Sequence, residues 1–257
     1  MSRAAPAEAY GPGTDRFGEL WRPAGDGPWP VVALLHGGFW RARRTLELMR
    51  PLAADLAGRG LAAWNLEYRR VGQPGGGWPG TFQDVAAGLD HLAELTAREP
   101  LDLDRLVVTG HSAGGHLALW SAARPGLPAA APGAGPRVVP RLAVSLAGVC
   151  DLAAGADDGL GEGAVAELLG ATPGQDPARY RLASPLARLP LGVAQLLVHG
   201  DADARVPVAQ SRAYAAAAAA AGDPVELVEL AGAGHMDVID PASPAWAEVT
   251  RRLRRSP

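Results

Sequence analysis

The stretch from Leu106 to His116 reads LVVTGHSAGGH and decides the fold. Its first residues are apolar and suit a buried strand, and the residues after Ser112 continue as a helical run to Ala123. The G-x-S-x-G motif at 110–114 therefore lies between a strand and a helix. Such a turn strains the serine backbone and lifts its hydroxyl into a cleft, and the helix aims its first amides at developing negative charge. This context predicts that Ser112 is a nucleophile.

Strands and helices alternate along most of the chain around this motif. The expected strands cover 17–21, 31–35, 61–67, 105–109, 142–147, 194–199 and 225–230. The expected helices cover 46–58, 81–98, a segment from 112 onward, 164–169, 208–221 and 243–254. This rhythm predicts an α/β fold with a mostly parallel central sheet and helices on both faces, a three-layer sandwich.

The length of 257 residues suits a single α/β domain over 1–257. Residues 1–30 are expected to form a lead-in with a short strand. Two segments rich in glycine or proline, 125–137 and 150–190, are expected to be loops or lids over the site, because long stretches between strands often serve that purpose.

Composition excludes several classes of protein. The formal charge of −3 offers no basic field for nucleic acid. The chain has no lysine, which excludes a lysine Schiff base and a P-loop, and its single cysteine, Cys150, excludes an intramolecular disulfide and a cysteine zinc site. No apolar stretch approaches a membrane span. We expect a cytoplasmic protein that uses no metal or other cofactor and binds neither nucleic acid nor a membrane.

A serine nucleophile needs a base, and the base needs an acid that orients it. His235 is the preferred base, because it lies in a glycine-rich loop behind the last expected strand. Structural roles are expected for the remaining histidines, which lie at strand ends or within helices: His36, His91, His111, His116 and His199.

Two aspartates compete for the acid role in the loop after the strand at 194–199. Asp201 is expected to bind backbone amides and shape its turn, a common use of aspartate. Asp203 is the preferred acid, because the residues after it lead into the next helix and place it at the tip of the loop. Asp151 is a weaker third candidate.

Four motifs together resemble the α/β-hydrolase superfamily from about Val31 to Leu253. They are HGGFW at 36–40, GHSAGG at 110–115, HGDADARVP at 199–207 and GAGH at 232–235. The resemblance implies the order serine, acid, histidine, with each residue in a loop after a strand. Ser112, Asp203 and His235 follow that order.

Acyl transfer also needs amide donors for the tetrahedral oxyanion. One is expected from Ala113, the residue after the nucleophile. The HGGFW motif lies where lipases and esterases carry HGGG, which implies further donors at Gly38 and Phe39. Phe39 and Trp40 are expected to wall the acyl pocket, and His111 to border it.

Within the superfamily, the chain resembles the kynurenine formamidase and feruloyl-esterase-like group of small esterases. Residues 67–70 (EYRR) and 183–185 (ASP) add to this likeness. The resemblance implies hydrolysis of a carboxylic ester or an N-formyl arylamide, with a small-molecule substrate and no cofactor. The same motifs leave open a general carboxylesterase, a peptidase-like hydrolase, or an acyltransferase or thioesterase. A ligand-binding protein that reuses the fold is disfavoured by the complete triad, and a homodimer is an open alternative for its assembly.

Overall fold

The computed structural model describes residues 7–255, and in that part of the chain the strands form one eight-stranded sheet. The strands are β1 (Glu8–Ala9), β2 (Phe17–Trp21), β3 (Trp29–Leu35), β4 (Ala62–Leu66), β5 (Leu101–His111), β6 (Leu142–Leu146), β7 (Ala194–Gly200) and β8 (Val225–Leu230). Their order across the sheet is β1-β2-β4-β3-β5-β6-β7-β8. The pairs from β4 onward are parallel, and β1 and β2 join antiparallel at one edge.

Helices follow most of the strands. They are α1 (Arg50–Gly58), α2 (Gly80–Asp90), α3 (Leu92–Leu95), α4 (Ala113–Ala123), α5 (Leu152–Asp157), α6 (Leu160–Leu169), α7 (Pro177–Ala183), α8 (Ala209–Ala220) and α9 (Pro244–Arg255). Short 3-10 helices cover Leu46–Met49, Arg124–Gly126, Leu186–Arg188 and Asp237–Ile239. Within the described residues, no helix has the length and apolar character needed to cross a membrane.

The apolar run of β3 is continuous because both faces of the sheet are covered. Val32 and Leu34 belong to the apolar cluster that α1 and α9 complete. Ala33 and Leu35 belong to the cluster on the opposite face, which α2, α4 and α6 complete. Successive side chains of a strand point to opposite faces, so alternate residues of one strand enter different cores. The predicted three-layer arrangement agrees with this packing.

The segment 150–190 differs from the predicted loop or lid. It contains α5, α6 and α7, and most of its buried apolar residues belong to the cluster that α2 and α4 complete. Within α6, the turn before Ala164 departs from a right-handed helix, because Gly161, Glu162 and Gly163 have positive φ angles. The weak helix predicted from Ala164 to Leu169 therefore exists, but inside a helical, packed layer.

The segment 125–137 is irregular, as expected, but it does not lie over the serine. It follows α4, whose eleven residues carry the chain about 16 Å away from Ser112. There the backbone N–H groups of Arg137 and Val138 donate to Asp90 at the end of α2, at 3.0 and 3.3 Å. Residues 125–137 therefore lie at the end of α4 that is remote from Ser112.

The described part of the lead-in, residues 7–30, is attached to the sheet. β2 pairs with β4, in agreement with the predicted strand at 17–21. The Tyr10 hydroxyl donates to the Glu67 carbonyl oxygen at 2.7 Å. Asp15 accepts hydrogen bonds from Arg70 and Gln73, each at 2.7 Å. These contacts fasten the lead-in beside the end of β4.

Candidate active site

The carboxyl ends of β3, β5, β7 and β8 meet at one edge of the sheet. The chain leaves β3 for β4 on one side and later adds β5 on the other side, so the strand order reverses between β3 and β5. Open parallel sheets bind their ligands outside such a reversal. His36 directly follows β3 and Ser112 directly follows β5, which places both at the reversal.

Ser112 occupies the sharp turn between β5 and α4. Its φ of 56° and ψ of −117° are unusual for a residue with a side chain. Its N–H donates to the Leu146 carbonyl oxygen at 2.8 Å, which ties the turn to the end of β6. The tight turn explains the flanking glycines: a Cβ on Gly114 would lie 2.0 Å from the Leu35 carbonyl oxygen, and one on Gly110 would lie 2.2 Å from the Gly114 carbonyl oxygen.

His235 and Asp203 form the hydrogen bond that the sequence predicted for them. His235 Nδ1 lies 2.6 Å from Asp203 Oδ2, and both side chains are buried. Because Nδ1 is bound to the carboxylate, Nε2 is the ring nitrogen of His235 that remains for another partner, and Ser112 lines the same cleft.

The environment of Asp203 keeps its carboxylate charged. Burial by itself would raise its pKa, but hydrogen bonds from His199, His235 and the backbone of Val206 and Arg205 lower the pKa far below its usual range. The two backbone N–H groups donate to Oδ1 at 2.9 and 2.8 Å. An ionised carboxylate at this position would stabilise a protonated His235 ring.

The competing aspartates have other partners. Asp201 Oδ1 accepts the N–H of Gly232 at 2.6 Å and so shapes the turn, as expected. Asp151 caps α5 by accepting the N–H groups of Ala153 and Ala154. Asp203 is therefore the carboxylate of the three that the fold brings to His235.

The HGGFW segment crosses directly against the serine turn. Gly38, Phe39 and Trp40 have positive φ angles of 122°, 52° and 55°. A Cβ on Gly37 would lie 3.2 Å from Ser112 Cβ, so the backbone passes the nucleophile in close contact. Within residues 7–255, the backbone N–H groups of Gly38, Phe39 and Ala113 donate to no acceptor. Unbonded donors beside a nucleophile suit an oxyanion.

His111 connects the serine turn to the His235 loop. Its Nε2–H donates to the His235 carbonyl oxygen at 2.8 Å, and the two ring centroids are 4.5 Å apart. Burial and the charge of His235 lower the pKa of His111 to about 3, so the ring is neutral. His111 lines the cleft, as predicted, and also holds the loop of His235 in position.

Trp40 is a correction to the sequence-based prediction of a pocket wall. Its side chain is only 1% exposed and packs in the central core, where its ring meets His116 edge-on at 5.2 Å. Trp40 follows Phe39 directly, but its indole is buried and does not line the cleft. Phe39 lines the cleft instead.

The remaining strand-end histidines are structural, as the sequence suggested. His36 Nδ1–H donates to the Gly37 carbonyl oxygen at 2.8 Å, and His199 Nε2–H donates to that of Val206 at 2.9 Å. His36 Nε2 also lies 2.9 Å from Glu67 Oε1. Although burial alone would raise the pKa of Glu67, its bonds with His36 and the nearby Arg70 lower it. The buried pair of His36 and Glu67 supports the start of the HGGFW loop, a role that the sequence did not reveal.

The cleft above Ser112 is small, with a volume of about 30 Å³. Besides the predicted residues it is lined by four that the sequence-based prediction missed: Arg44, Leu48, Arg205 and Met236. Arg205 belongs to the HGDADARVP motif and could have been suspected, whereas nothing in the sequence marks Arg44 or Leu48. Among the described residues, no three His, Cys, Asp or Glu side chains are grouped to hold a metal ion.

Comparison with known proteins places this geometry in context. The sequence profile of the BD-FAE family matches residues 20–217. Esterase LipQ of Mycobacterium tuberculosis is 29% identical over 237 residues, which cover 88% of this chain and 55% of LipQ. The chain spans about half the length of that relative.

Solved structures share the fold. A truncated carbohydrate esterase from gut microbiota superposes with a TM-score of 0.86 at 20% identity, covering 99% of this chain and 96% of that one. A thermophilic esterase from Thermogutta terrifontis superposes with a TM-score of 0.77 at 24% identity, covering 98% and 90%. These likenesses confirm the predicted α/β-hydrolase fold.

Proposed function

Since the chain belongs to the BD-FAE family, we propose that it is a carboxylic ester hydrolase that works through an acyl-enzyme on Ser112. The observation that carries the proposal is the Asp203–His235 hydrogen bond of 2.6 Å, which lies in one cleft with a strained Ser112. The names of relatives support it, since LipQ and both structural neighbours are described as esterases.

The geometry supports a two-step reaction. Ser112 Oγ attacks the acyl carbon while His235 Nε2 accepts its proton, and the oxyanion is held by the free N–H groups of Ala113, Gly38 and Phe39. The alcohol leaves with the proton from His235. Water then attacks the acyl-enzyme and gives a proton to His235, which passes it to Ser112 Oγ as the acyl–oxygen bond breaks, so that one ester and one water yield one acid and one alcohol.

The Ser112→Ala variant tests the proposal. Hydrolysis of 4-nitrophenyl acetate should fall by at least about 10⁴-fold, because the nucleophile is removed. A fluorophosphonate probe should add its mass to the wild-type protein and not to the variant. Ser121→Ala is the matched control, since Ser121 is a buried serine of the same helix whose hydroxyl bonds the Leu117 carbonyl oxygen. Substantial turnover by Ser112→Ala would refute the assignment.

The small cleft favours short acyl groups such as formyl and acetyl. This keeps N-formyl arylamides in the proposed substrate class, in line with the resemblance of HGGFW to the kynurenine formamidase group. A series of 4-nitrophenyl esters from acetate to decanoate should show kcat/KM falling with chain length. N-formylkynurenine measured beside aryl acetates tests the formamide alternative, and equal turnover of simple esters would favour a general carboxylesterase.

Product analysis separates hydrolysis from acyl transfer. Both reactions share the acyl-enzyme and differ only in the nucleophile that resolves it. Mass spectrometry of a reaction with added alcohol should find the free acid as the main product. An acyl group recovered mainly on the added alcohol would indicate a transferase.

A further inference from the structure

Two arginines, Arg44 and Arg205, line the cleft together with Ser112. Arg44 follows β3, and a Cβ on Gly38 would lie 2.7 Å from Arg44 Cβ, so its side chain leaves the backbone against the HGGFW loop. Arg205 follows β7, and its backbone N–H donates to Asp203 at 2.8 Å. Arg44 thus reaches the cleft from the loop after β3 and Arg205 from the loop after β7, and the serine turn after β5 lines the same cleft.

The positive charges of these side chains are not compensated by the protein. Most arginines in the described part of the chain pair with a carboxylate, as Arg41 does with Glu167 and Arg50 with Glu19. In residues 7–255, neither guanidinium of the cleft has a hydrogen bond or a carboxylate partner, and both residues are exposed. No aspartate or glutamate is among the described residues that line the cleft.

We infer that the cleft selects esters that carry a carboxylate away from the scissile bond, and that Arg44 and Arg205 bind this group. The inference rests on the proposed ester hydrolysis. A guanidinium binds a carboxylate through two parallel hydrogen bonds, and a cleft focuses the field of its charges. The whole chain has a net charge of −3, so attraction of an anion must come from local charges.

Matched pairs of substrates test this inference on both sides of the scissile bond. On the acyl side, mono-4-nitrophenyl glutarate is compared with 4-nitrophenyl valerate. On the alcohol side, 4-acetoxybenzoate is compared with 4-acetoxybenzamide. In at least one pair we expect the wild type to show a kcat/KM about tenfold higher for the anionic member, after subtraction of spontaneous hydrolysis. Added salt should reduce that ratio, because it screens exposed charges.

The variants Arg44→Gln and Arg205→Gln should each lower the ratio of anionic to neutral kcat/KM by about threefold or more. Arg205→Gln keeps the backbone N–H that binds Asp203. Arg43→Gln is the control, since Arg43 is exposed and does not line the cleft, and its ratio should equal that of the wild type.

The possible failures are distinguishable. Hydrolysis of the neutral esters with no anionic preference in either pair, or a preference that neither cleft variant changes, would overturn the inference while the proposed function stands. If no ester in either pair is hydrolysed, the proposed function fails and the inference fails with it.

Discussion

Ser112 holds a backbone conformation that costs about 1–3 kcal/mol for a residue with a side chain. Its N–H is bound to Leu146, and the turn is packed so tightly that a Cβ on Gly114 would lie 2.0 Å from the Leu35 carbonyl oxygen and one on Gly37 would lie 3.2 Å from Ser112 Cβ. The strain is in the backbone of the turn and not in the serine side chain. At the scale of single residues, the geometry of the site therefore depends on the hydrogen-bond partner of each polar atom.

The two aspartates after β7 provide a test at this scale. Asp203→Asn should lower kcat for 4-nitrophenyl acetate by about 10³–10⁴-fold, because an amide neither carries the charge nor selects the correct tautomer of His235. Asp201→Asn should keep most of the activity, since the asparagine oxygen can still accept the Gly232 N–H. A larger loss in Asp201→Asn than in Asp203→Asn would reverse the assignment.

At the scale of elements, α6 supports the HGGFW loop. The left-handed turn before Ala164 brings Gly161 against the Phe39 ring, where a Cβ would lie only 2.5 Å from Phe39 Cδ1. Arg41, at the end of the loop, binds Glu167 of α6 at 2.6 Å. The helical segment 150–190 thus contacts the HGGFW loop, which contains the unbonded N–H groups of Gly38 and Phe39.

Substitutions at two glycines of that turn distinguish an effect on the position of the HGGFW loop from an effect of backbone strain alone. Gly161→Ala and Gly163→Ala should each lower the free energy of unfolding by about 1 kcal/mol, since both positions have positive φ angles of 61° and 82°. Gly161→Ala should also lower kcat/KM about tenfold by displacing Phe39. Gly163 has open space around its Cβ position, so Gly163→Ala should leave kcat/KM near that of the wild type. Urea unfolding curves measure the stability of both variants. Equal losses of kcat/KM in Gly161→Ala and Gly163→Ala would contradict the coupling between α6 and the HGGFW loop.

At the scale of the whole molecule, neutral histidines are sealed between the sheet and its covering helices. Burial lowers the pKa of His116 to about 4, and burial with the charge of His235 lowers that of His111 to about 3. Each ring donates one N–H to a carbonyl oxygen, His116 to Ala183 and His111 to His235. Protonation of either ring would place a positive charge in the protein interior.

These histidines predict how stability depends on pH. Unfolded histidine titrates near pH 6.5, so between about pH 6.5 and pH 4 the unfolded chain binds more protons than the folded one. The free energy of unfolding should fall as the pH falls, by up to about 1.4 kcal/mol per pH unit for each histidine. His116→Gln should reduce the difference between urea unfolding at pH 6.5 and at pH 5. An unchanged difference would show that His116 does not stay neutral.

Much of the fold was readable because it depends on local periodicity. The apolar run of β3, the strand before Ser112 and the helix after it each follow from the spacing of apolar residues. The observed bounds differ from the predicted ones mainly at element ends, as where the helix expected at 81–98 divides into α2 and α3. The segment 150–190 was misjudged because its glycines suggested a loop, whereas burial of Val165 and Leu168 holds it in helices.

The sequence by itself determined the alternation of strands and helices, the turn between strand and helix that holds Ser112, and the later loops that hold Asp203 and His235. These depend on patterns within a few residues. Only the tertiary structure decided that Asp203 rather than Asp201 meets His235, that Trp40 turns into the core, and that Arg44 and Arg205 share a cleft. Such choices depend on how loops from different strands pack against one another, and a contact between residues far apart in the chain leaves no local pattern to read.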